Sequence, residues 1–195
     1  MVPHGGTPGR RSTHFPGTLP RVITRELLVL GGGAEVGKSN VGWEVSPVLR
    51  ARGTAHCPVE GDYLDRVHPA PADDPHRTGI TERNLASVWA NYAALGQHRL
   101  VCTNTVSVRQ EPMIRRATGP GAVRSALVRL TASEATTRER LARREIGSQL
   151  APHVERSLAM ARRLDADAPP GTVRIATDGS SVEDIAHEVV PVAGR

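Results

Sequence analysis

Residues 32–39 of the sequence read GGAEVGKS and match the phosphate-binding pattern G-x-x-x-x-G-K-[ST]. The apolar run Leu27–Leu30 precedes this stretch, and three glycines end the run, as is typical of a buried parallel strand. Valine and leucine then recur at helical spacing until Arg52 and Gly53. A strand, a glycine-rich turn and a helix in this order predict an α/β fold built around a bound phosphate.

Each position of this loop has a physical role. Gly32 and Gly37 let the backbone curl, so that successive N–H groups and the positive end of the following helix point at one phosphate. Lys38 is the only lysine among 25 basic residues, and its compact ammonium suits the β- and γ-phosphate oxygens. The Ser39 hydroxyl is predicted to bind Mg²⁺.

The loop therefore predicts a bound nucleoside triphosphate, ATP or GTP, with Mg²⁺. A carboxylate facing a triphosphate would repel it, so we expect Glu35 to point outward. The predicted nucleotide-binding residues are Gly32, Gly33, Ala34, Glu35, Val36, Gly37, Lys38, Ser39 and Asn40.

The rest of the chain alternates short apolar runs with amphipathic segments, which predicts a five-stranded parallel sheet with helices on both faces. The further strands are predicted over Ala55–Val59, His98–Thr103, Ala122–Leu130 and Val173–Ala176. Helices are predicted around Leu85–Leu95, over Thr136–Arg144 and Pro152–Leu164, and from Val182 to Val190.

The composition narrows the class of protein. A length of 195 residues suggests one domain, over 22–195, preceded by a disordered arm at 1–21 that is rich in Gly, Pro and Arg. A membrane span and a signal peptide are not indicated, which favours a cytoplasmic protein. The net charge of +5 is interspersed with acidic residues, and the basic segments lack aromatic residues, so nucleic-acid binding is disfavoured. Cys57 and Cys102 are interpreted as buried free thiols rather than a redox pair.

Two motifs, the loop and Glu60-Gly61-Asp62 after the second strand, resemble those of the small P-loop kinases. These include adenylylsulfate, gluconate and shikimate kinases and chloramphenicol phosphotransferase. The stretch from Glu26 to Val192 is also similar to a family of actinobacterial P-loop ATP-binding proteins. The resemblance implies a P-loop NTPase three-layer sandwich with a helical lid, and ATP and Mg²⁺ as cofactors.

The resemblance also implies roles for two groups of residues. Asp62 would contact the acceptor hydroxyl as a base or an orienting group, and the alternative is that Gly61-Asp62 forms an ordinary turn; the acidic cluster of Glu60, Asp62 and Asp65 favours the functional role. The resemblance places the lid over Thr136–Arg163, and its arginines would close over the transferring phosphoryl group. Arg143 and Arg144 are predicted because they precede a hinge-like break at 146–148.

Two further sites are predicted from their position in such kinases. Asp178 and Gly179 follow the fifth strand, where a loop would wrap around the nucleotide base, but an Asp-Gly turn fits any strand-to-helix connection. Arg83 lies where a helix is predicted to begin, and there it would bind the acceptor.

The sequence departs from the pattern of the similar kinases at one residue expected near the metal. The third strand, Leu100–Thr105, lacks the aspartate that usually orients the Mg²⁺ shell. Thr103, Asn104 or Thr105 would then hold a metal-bound water, or Asp62 would serve both roles. The sequence thus predicts an ATP-dependent transfer to a hydroxyl or phosphate of a small molecule, with a nucleotide-binding or ATPase module that has no kinase activity as the alternative.

Overall fold

The computed structural model describes residues 24–144 and 149–194. In this part of the chain the strands are β1 Arg25–Gly32, β2 Cys57–Glu60, β3 Arg99–Thr103, β4 Val123–Thr131 and β5 Val173–Ala176. The helices are α1 Lys38–Ala51, α2 Thr78–Ala94, α3 Glu111–Ala117, α4 Glu134–Arg144, α5 Leu150–Ala166 and α6 Val182–Val192, with a 3₁₀ turn at Gly61–Tyr63 after β2.

The five strands form one parallel sheet in the order β2-β3-β1-β4-β5. β1 is central because its apolar run can be covered on both faces. In the register, Leu28 lies beside Val101 of β3 and Ala126 of β4. β2 and β3 lie on one side of β1, and β4 and β5 lie on the other, so the strand order reverses at β1 and a crevice is expected there at the carboxyl ends of the strands. The predicted α/β fold class is confirmed.

Successive residues of β1 face opposite sides of the sheet, and this divides the core in two. Leu28 and Leu30 pack against α1 and α6, whereas Leu27 and Val29 pack against α2 and α3. A small third cluster, Leu141, Val154 and Leu158, holds α4 against α5. The sheet therefore has helices on both faces, with the α4–α5 pair at one side of the crevice.

Two helices depart from the prediction. α2 begins at Thr78, several residues before the first apolar position that signalled it, because the carboxylate of Asp74 accepts a 2.8 Å hydrogen bond from the backbone N–H of Ile80. α3 was not predicted, because a helix of seven residues is too short to show a clear apolar period. The predicted arm at 1–21 and the break at 146–148 lie outside the described residues.

The two cysteines, Cys57 and Cys102, are free and buried, as predicted. Burial raises the pKa of the Cys57 thiol to about 11 and that of the Cys102 thiol to about 12. Within residues 24–144 and 149–194, no helix combines the length and the apolar character needed to cross a membrane.

Candidate functional site

The turn between β1 and α1 is shaped by two glycines. Gly32 has φ 150°, and a Cβ atom there would lie 2.6 Å from the carbonyl oxygen of Leu130. Gly37 has the left-handed φ of 83° and stands at the N-terminus of α1, which has neither a side-chain cap nor an acidic residue in its first turn. The positive end of α1 is thus free to bind an anion.

This helix end opens into a cavity of about 580 Å³. The phosphate loop supplies much of its wall, through Ala34, Glu35, Val36, Gly37, Lys38, Ser39 and Asn40. Gly32 and Gly33 are not among the lining residues. The predicted loop residues are otherwise together on one cavity, which has the size of pockets that hold small ligands.

Lys38 is fixed within its own loop. Its Nζ donates a 2.8 Å hydrogen bond to the carbonyl oxygen of Gly33. Burial lowers the pKa of Lys38, and the carboxylates of Asp62, Glu60 and Glu35 oppose that shift. The ammonium therefore lines the cavity under the influence of three carboxylates, and an arriving phosphate would add a further anionic partner.

Asp62 is held in a defined orientation. The Asn104 amide donates to its Oδ1 at 2.9 Å, while the amide oxygen of Asn104 accepts from the backbone N–H of Val106 at 2.9 Å. Burial raises the pKa of Asp62, the neighbouring Glu60 adds to the rise, and Lys38 opposes it. The carboxylate is thus both positioned and more basic than an exposed aspartate.

Asp62 also lies between two cavities. It lines the 580 Å³ cavity opposite the phosphate loop, and it lines a second cavity of about 560 Å³. The remaining wall of the second cavity is Asp65, Arg66, Val67, His68 and Arg77. A group held in either cavity would have the Asp62 carboxylate at its border.

Glu60 supplies an acid close to the place where β3 has none. In the sheet it lies beside Thr103, and both residues line a narrow cavity of about 20 Å³ with Ser39. Its Oε1 is buried and has no hydrogen-bond partner among the described residues.

These oxygens fit Mg²⁺, which prefers hydroxyl, carboxylate and water ligands. Ser39 would hold the ion, and Glu60 would orient its water shell. Within the described part of the chain no cluster of three or more His, Cys, Asp or Glu side chains is placed to hold a metal by itself.

The last residue of β3, Thr103, and the two residues that follow it have three different surroundings. Thr103 is buried under α1, where Gly42 leaves room for its methyl group. Asn104 orients Asp62, and Thr105 lines the 580 Å³ cavity.

Arg140 joins the lid to the phosphate loop. Its guanidinium donates to the carbonyl oxygen of Glu35 at 2.9 Å, to Thr177 Oγ1 at 3.0 Å and to the carbonyl oxygen of Thr177 at 2.8 Å. Arg140 and Arg144 both line the cavity. The predicted lid arginine Arg144 is therefore at the site, and Arg140 is a site residue that the sequence analysis missed.

The expectation that Glu35 points outward is wrong. Its side chain is 15% exposed, and its Oε1 pairs with Nη1 of Arg144 at 2.5 Å. Glu35 has a left-handed φ of 61°, which places its carboxylate under α4. The negative charge is tolerated beside a phosphate site because an arginine neutralises it.

Arg143 is not brought to the cavity. It is not among the residues that line the cavity, and its guanidinium pairs with Glu139 one turn earlier, at 2.5 Å. Neighbouring residues on a helix point about 100° apart, whereas Arg140 and Arg144, four residues apart, share one face. This spacing was the available signal for Arg140, and the role of Arg143 stays a prediction.

Asp178 faces the lid. Its carboxylate accepts from the backbone N–H of Ser133 at 2.9 Å, at the start of α4. Hydrogen bonds from Thr136 and Ser133 lower the pKa of Asp178 to about 2. Neither Asp178 nor Gly179 lines the cavity, although the flanking residues Thr177 and Ser180 do.

Arg83 lies away from Asp62. Because α2 begins at Thr78, Arg83 is in its second turn and lines a separate cavity of about 350 Å³ with Arg116. The interpretation that Arg83 opens the helix is therefore corrected, and Arg77 stands at that position instead. The start of α2 was missed because Gly79 in its first turn disfavours a helix.

Solved structures with a similar fold are found at low sequence identity. A gluconokinase from Sinorhizobium meliloti 1021 is 19% identical with a TM-score of 0.53, and the match covers 87% of this chain and 92% of that chain. A sugar kinase from Janibacter sp. HTCC2649 is 19% identical with a TM-score of 0.57, covering 88% and 95%. The tunicamycin resistance protein of Deinococcus radiodurans is 15% identical with a TM-score of 0.57, covering 87% and 96%.

The chain has the α/β fold of the P-loop NTPases. Its phosphate loop stands after the central strand and before α1, with the cavity at the carboxyl ends of the strands. No protein-family model matches the sequence, and no curated protein matches it either. At these identities the likeness establishes the fold.

Proposed function

We propose that the protein is an ATP-dependent phosphotransferase that moves the γ-phosphoryl group to a hydroxyl or phosphate of a small molecule. The observation that carries the proposal is the position of Asp62, which borders both the cavity of the phosphate loop and a second cavity of similar size. The similar folds of a gluconokinase and a sugar kinase favour the same reaction class. The acceptor would occupy the second cavity.

The proposed residues act mainly by position and charge, as phosphoryl transfer requires. Lys38 and the N-terminus of α1 hold the β- and γ-phosphates, and Arg140 and Arg144 approach from the lid. Mg²⁺, when bound, would neutralise charge on the phosphate oxygens. For a hydroxyl acceptor, Asp62 takes the hydroxyl proton while the oxygen of the acceptor forms a bond to the γ-phosphorus. The bond from that phosphorus to the β–γ bridging oxygen breaks, and ADP leaves.

Two substitutions test this proposal. Lys38→Ala should abolish detectable ATP binding, because it removes the ammonium at the centre of the phosphate loop. Asp62→Asn should retain ATP affinity and lower transfer by roughly a hundredfold or more, the usual contribution of a positioned base. ADP formation would be followed with nucleotides, sugars and amino-sugar alcohols as acceptors.

The matched control is Asp73→Asn, an exposed carboxylate of the same loop that lines neither cavity. Unchanged ATP affinity in the lysine variant would contradict the nucleotide site. Full transfer by the Asp62 variant would contradict the role of that carboxylate.

A second candidate is a nucleotide-binding or ATPase module without kinase activity. The absence of an acid at the end of β3, where Thr103 and Asn104 stand, favours it. It predicts ADP formation that is independent of any acceptor, and acceptor-dependent transfer would exclude it.

A further inference from the structure

The second cavity contains an arginine whose backbone is held firmly and whose side chain is not. Arg77 has a left-handed φ of 56°, uncommon for a residue other than glycine. Its backbone N–H donates to the carbonyl oxygen of Asp74 at 2.9 Å, and its own carbonyl oxygen accepts from the Thr81 hydroxyl at 2.7 Å. The surrounding structure thus fixes where this side chain begins.

The guanidinium of Arg77 has no hydrogen bond or ion pair to another described residue. Its Nε is buried from solvent and unpartnered. A buried donor without an acceptor costs free energy, so such a group is expected to meet a ligand or water. Arg77 and Asp62 both line the 560 Å³ cavity, so a group held there is within reach of both residues.

The other charged residues of the cavity are engaged differently. Arg66 stacks on the ring of Tyr63, with 4.8 Å to the ring centre, and donates to the carbonyl oxygen of Asp62 at 3.2 Å. Asp62 and Asp65 present carboxylates, which accept hydrogen bonds from hydroxyl groups. The cavity therefore offers acceptors for hydroxyls at one place and one unpartnered cation at another.

We propose that the phosphoryl acceptor is a polyhydroxylated acid, whose hydroxyls lie against Asp62 and Asp65 and whose anionic group binds Arg77. This inference rests on the proposed function, because only a phosphotransferase has a phosphoryl acceptor. The planar guanidinium suits a carboxylate or a phosphate equally, since both accept two parallel hydrogen bonds. An amino alcohol would instead pair with the two carboxylates and leave Arg77 unsatisfied.

The test is a titration of the full chain saturated with ADP and Mg²⁺, so that the phosphate loop is occupied. Four six-carbon probes share one polyol chain: gluconate, sorbitol 6-phosphate, sorbitol and glucamine. We expect gluconate or sorbitol 6-phosphate to bind roughly tenfold to a hundredfold more tightly than sorbitol, as a charged hydrogen bond provides. The stronger of the two identifies a carboxylate or a phosphate as the anionic group.

Variants assign the effect to one residue. Arg77→Gln should remove the preference for the anion and leave sorbitol binding and the affinity for ADP unchanged, whereas Arg77→Lys should retain part of it. The control is Arg50→Gln, the same change at the exposed last turn of α1. Melting temperatures of the variants verify folding. Folding should persist because the Arg77 guanidinium makes no hydrogen bond or ion pair to another described residue.

Three results would overturn the proposal. The first is binding of sorbitol or glucamine at least as tight as that of both anions, and the second is no detectable binding of either anion. The third is an anion preference that survives in Arg77→Gln, or that is lost in Arg83→Gln instead. The titration involves no phosphoryl transfer, so its failure leaves the ATP site and the proposed reaction to be judged by the Lys38 and Asp62 variants.

Discussion

At the scale of single residues, Glu60 places a carboxylate beside Thr103, at the end of a strand that carries no acid there. Its buried, unpartnered Oε1 and the Ser39 hydroxyl belong to the same narrow cavity. The carboxylate also opposes the burial that lowers the pKa of Lys38. A strand next to the usual one thus provides a carboxylate at the carboxyl edge of the sheet, where an ion bound to the phosphates would need it.

Glu60→Gln should therefore weaken Mg²⁺-dependent nucleotide binding. We expect the affinity for ADP in the presence of Mg²⁺ to fall by roughly tenfold, the usual effect of losing a group that orients a metal ligand. The affinity measured in the presence of a chelator should not change. Calorimetric titration with and without Mg²⁺ gives both values.

The control is Glu188→Gln, an exposed carboxylate on α6. If the Glu60 variant binds ADP with the same Mg²⁺ dependence as the unaltered protein, Glu60 does not act on the metal. Asp62, positioned by the hydrogen bond from Asn104, would then be the carboxylate left to orient the ion.

At the scale of elements, the contacts of α4 decide which arginines matter. Arg140 reaches the phosphate loop and the residue after β5 through three hydrogen bonds. Arg143, three residues later, forms an exposed pair with Glu139. Exposed pairs of this kind contribute little to stability, whereas a charged donor that bridges two segments orders both.

Arg140→Ala should raise the dissociation constant for ATP by roughly tenfold, because a charged hydrogen-bond network to the loop is lost. The same change at Arg143 is the matched control on the same helix, and we expect less than about a twofold effect there. A fluorescent ATP analogue would measure both. A larger effect at Arg143 would mean that α4 turns its other face to the nucleotide.

At the scale of the whole molecule, Asp178 connects the sheet to the lid across 45 residues of sequence. Its carboxylate accepts from the backbone N–H of Ser133, immediately before α4, where the helix dipole also favours a negative charge. The pKa of Asp178 is about 2, below the ordinary value of 3.8. The ionised form therefore stabilises the fold above about pH 4, and this contribution disappears as the pH falls through about 2.

Asp178→Ala should lower the free energy of unfolding at neutral pH by about 1 kcal/mol, the typical effect of losing a helix cap. The difference from the unaltered protein should shrink below about pH 4 and vanish near the pKa of about 2. Urea unfolding over this pH range provides the measurement, with the exposed Asp73→Ala as control. A difference that is independent of pH would contradict the role of the ionised carboxylate.

The sequence by itself determined the fold class and the phosphate loop, because both depend on local patterns. A short apolar run such as Leu27–Leu30 that ends in glycines is typical of a strand buried on both faces, and the spacing of Gly32, Gly37 and Lys38 specifies the loop. The strand ends were predicted to within two residues for the same reason.

The tertiary structure alone decided the use of the remaining charged residues. Asp74 starts α2 early and so brings Arg77 rather than Arg83 to the second cavity. The rotation of α4 selects Arg140 over Arg143, and Glu35 turns under the lid because Arg144 is there to pair with it. Each outcome depends on partners far apart in the chain, and a charge pattern in one segment carries no information about them.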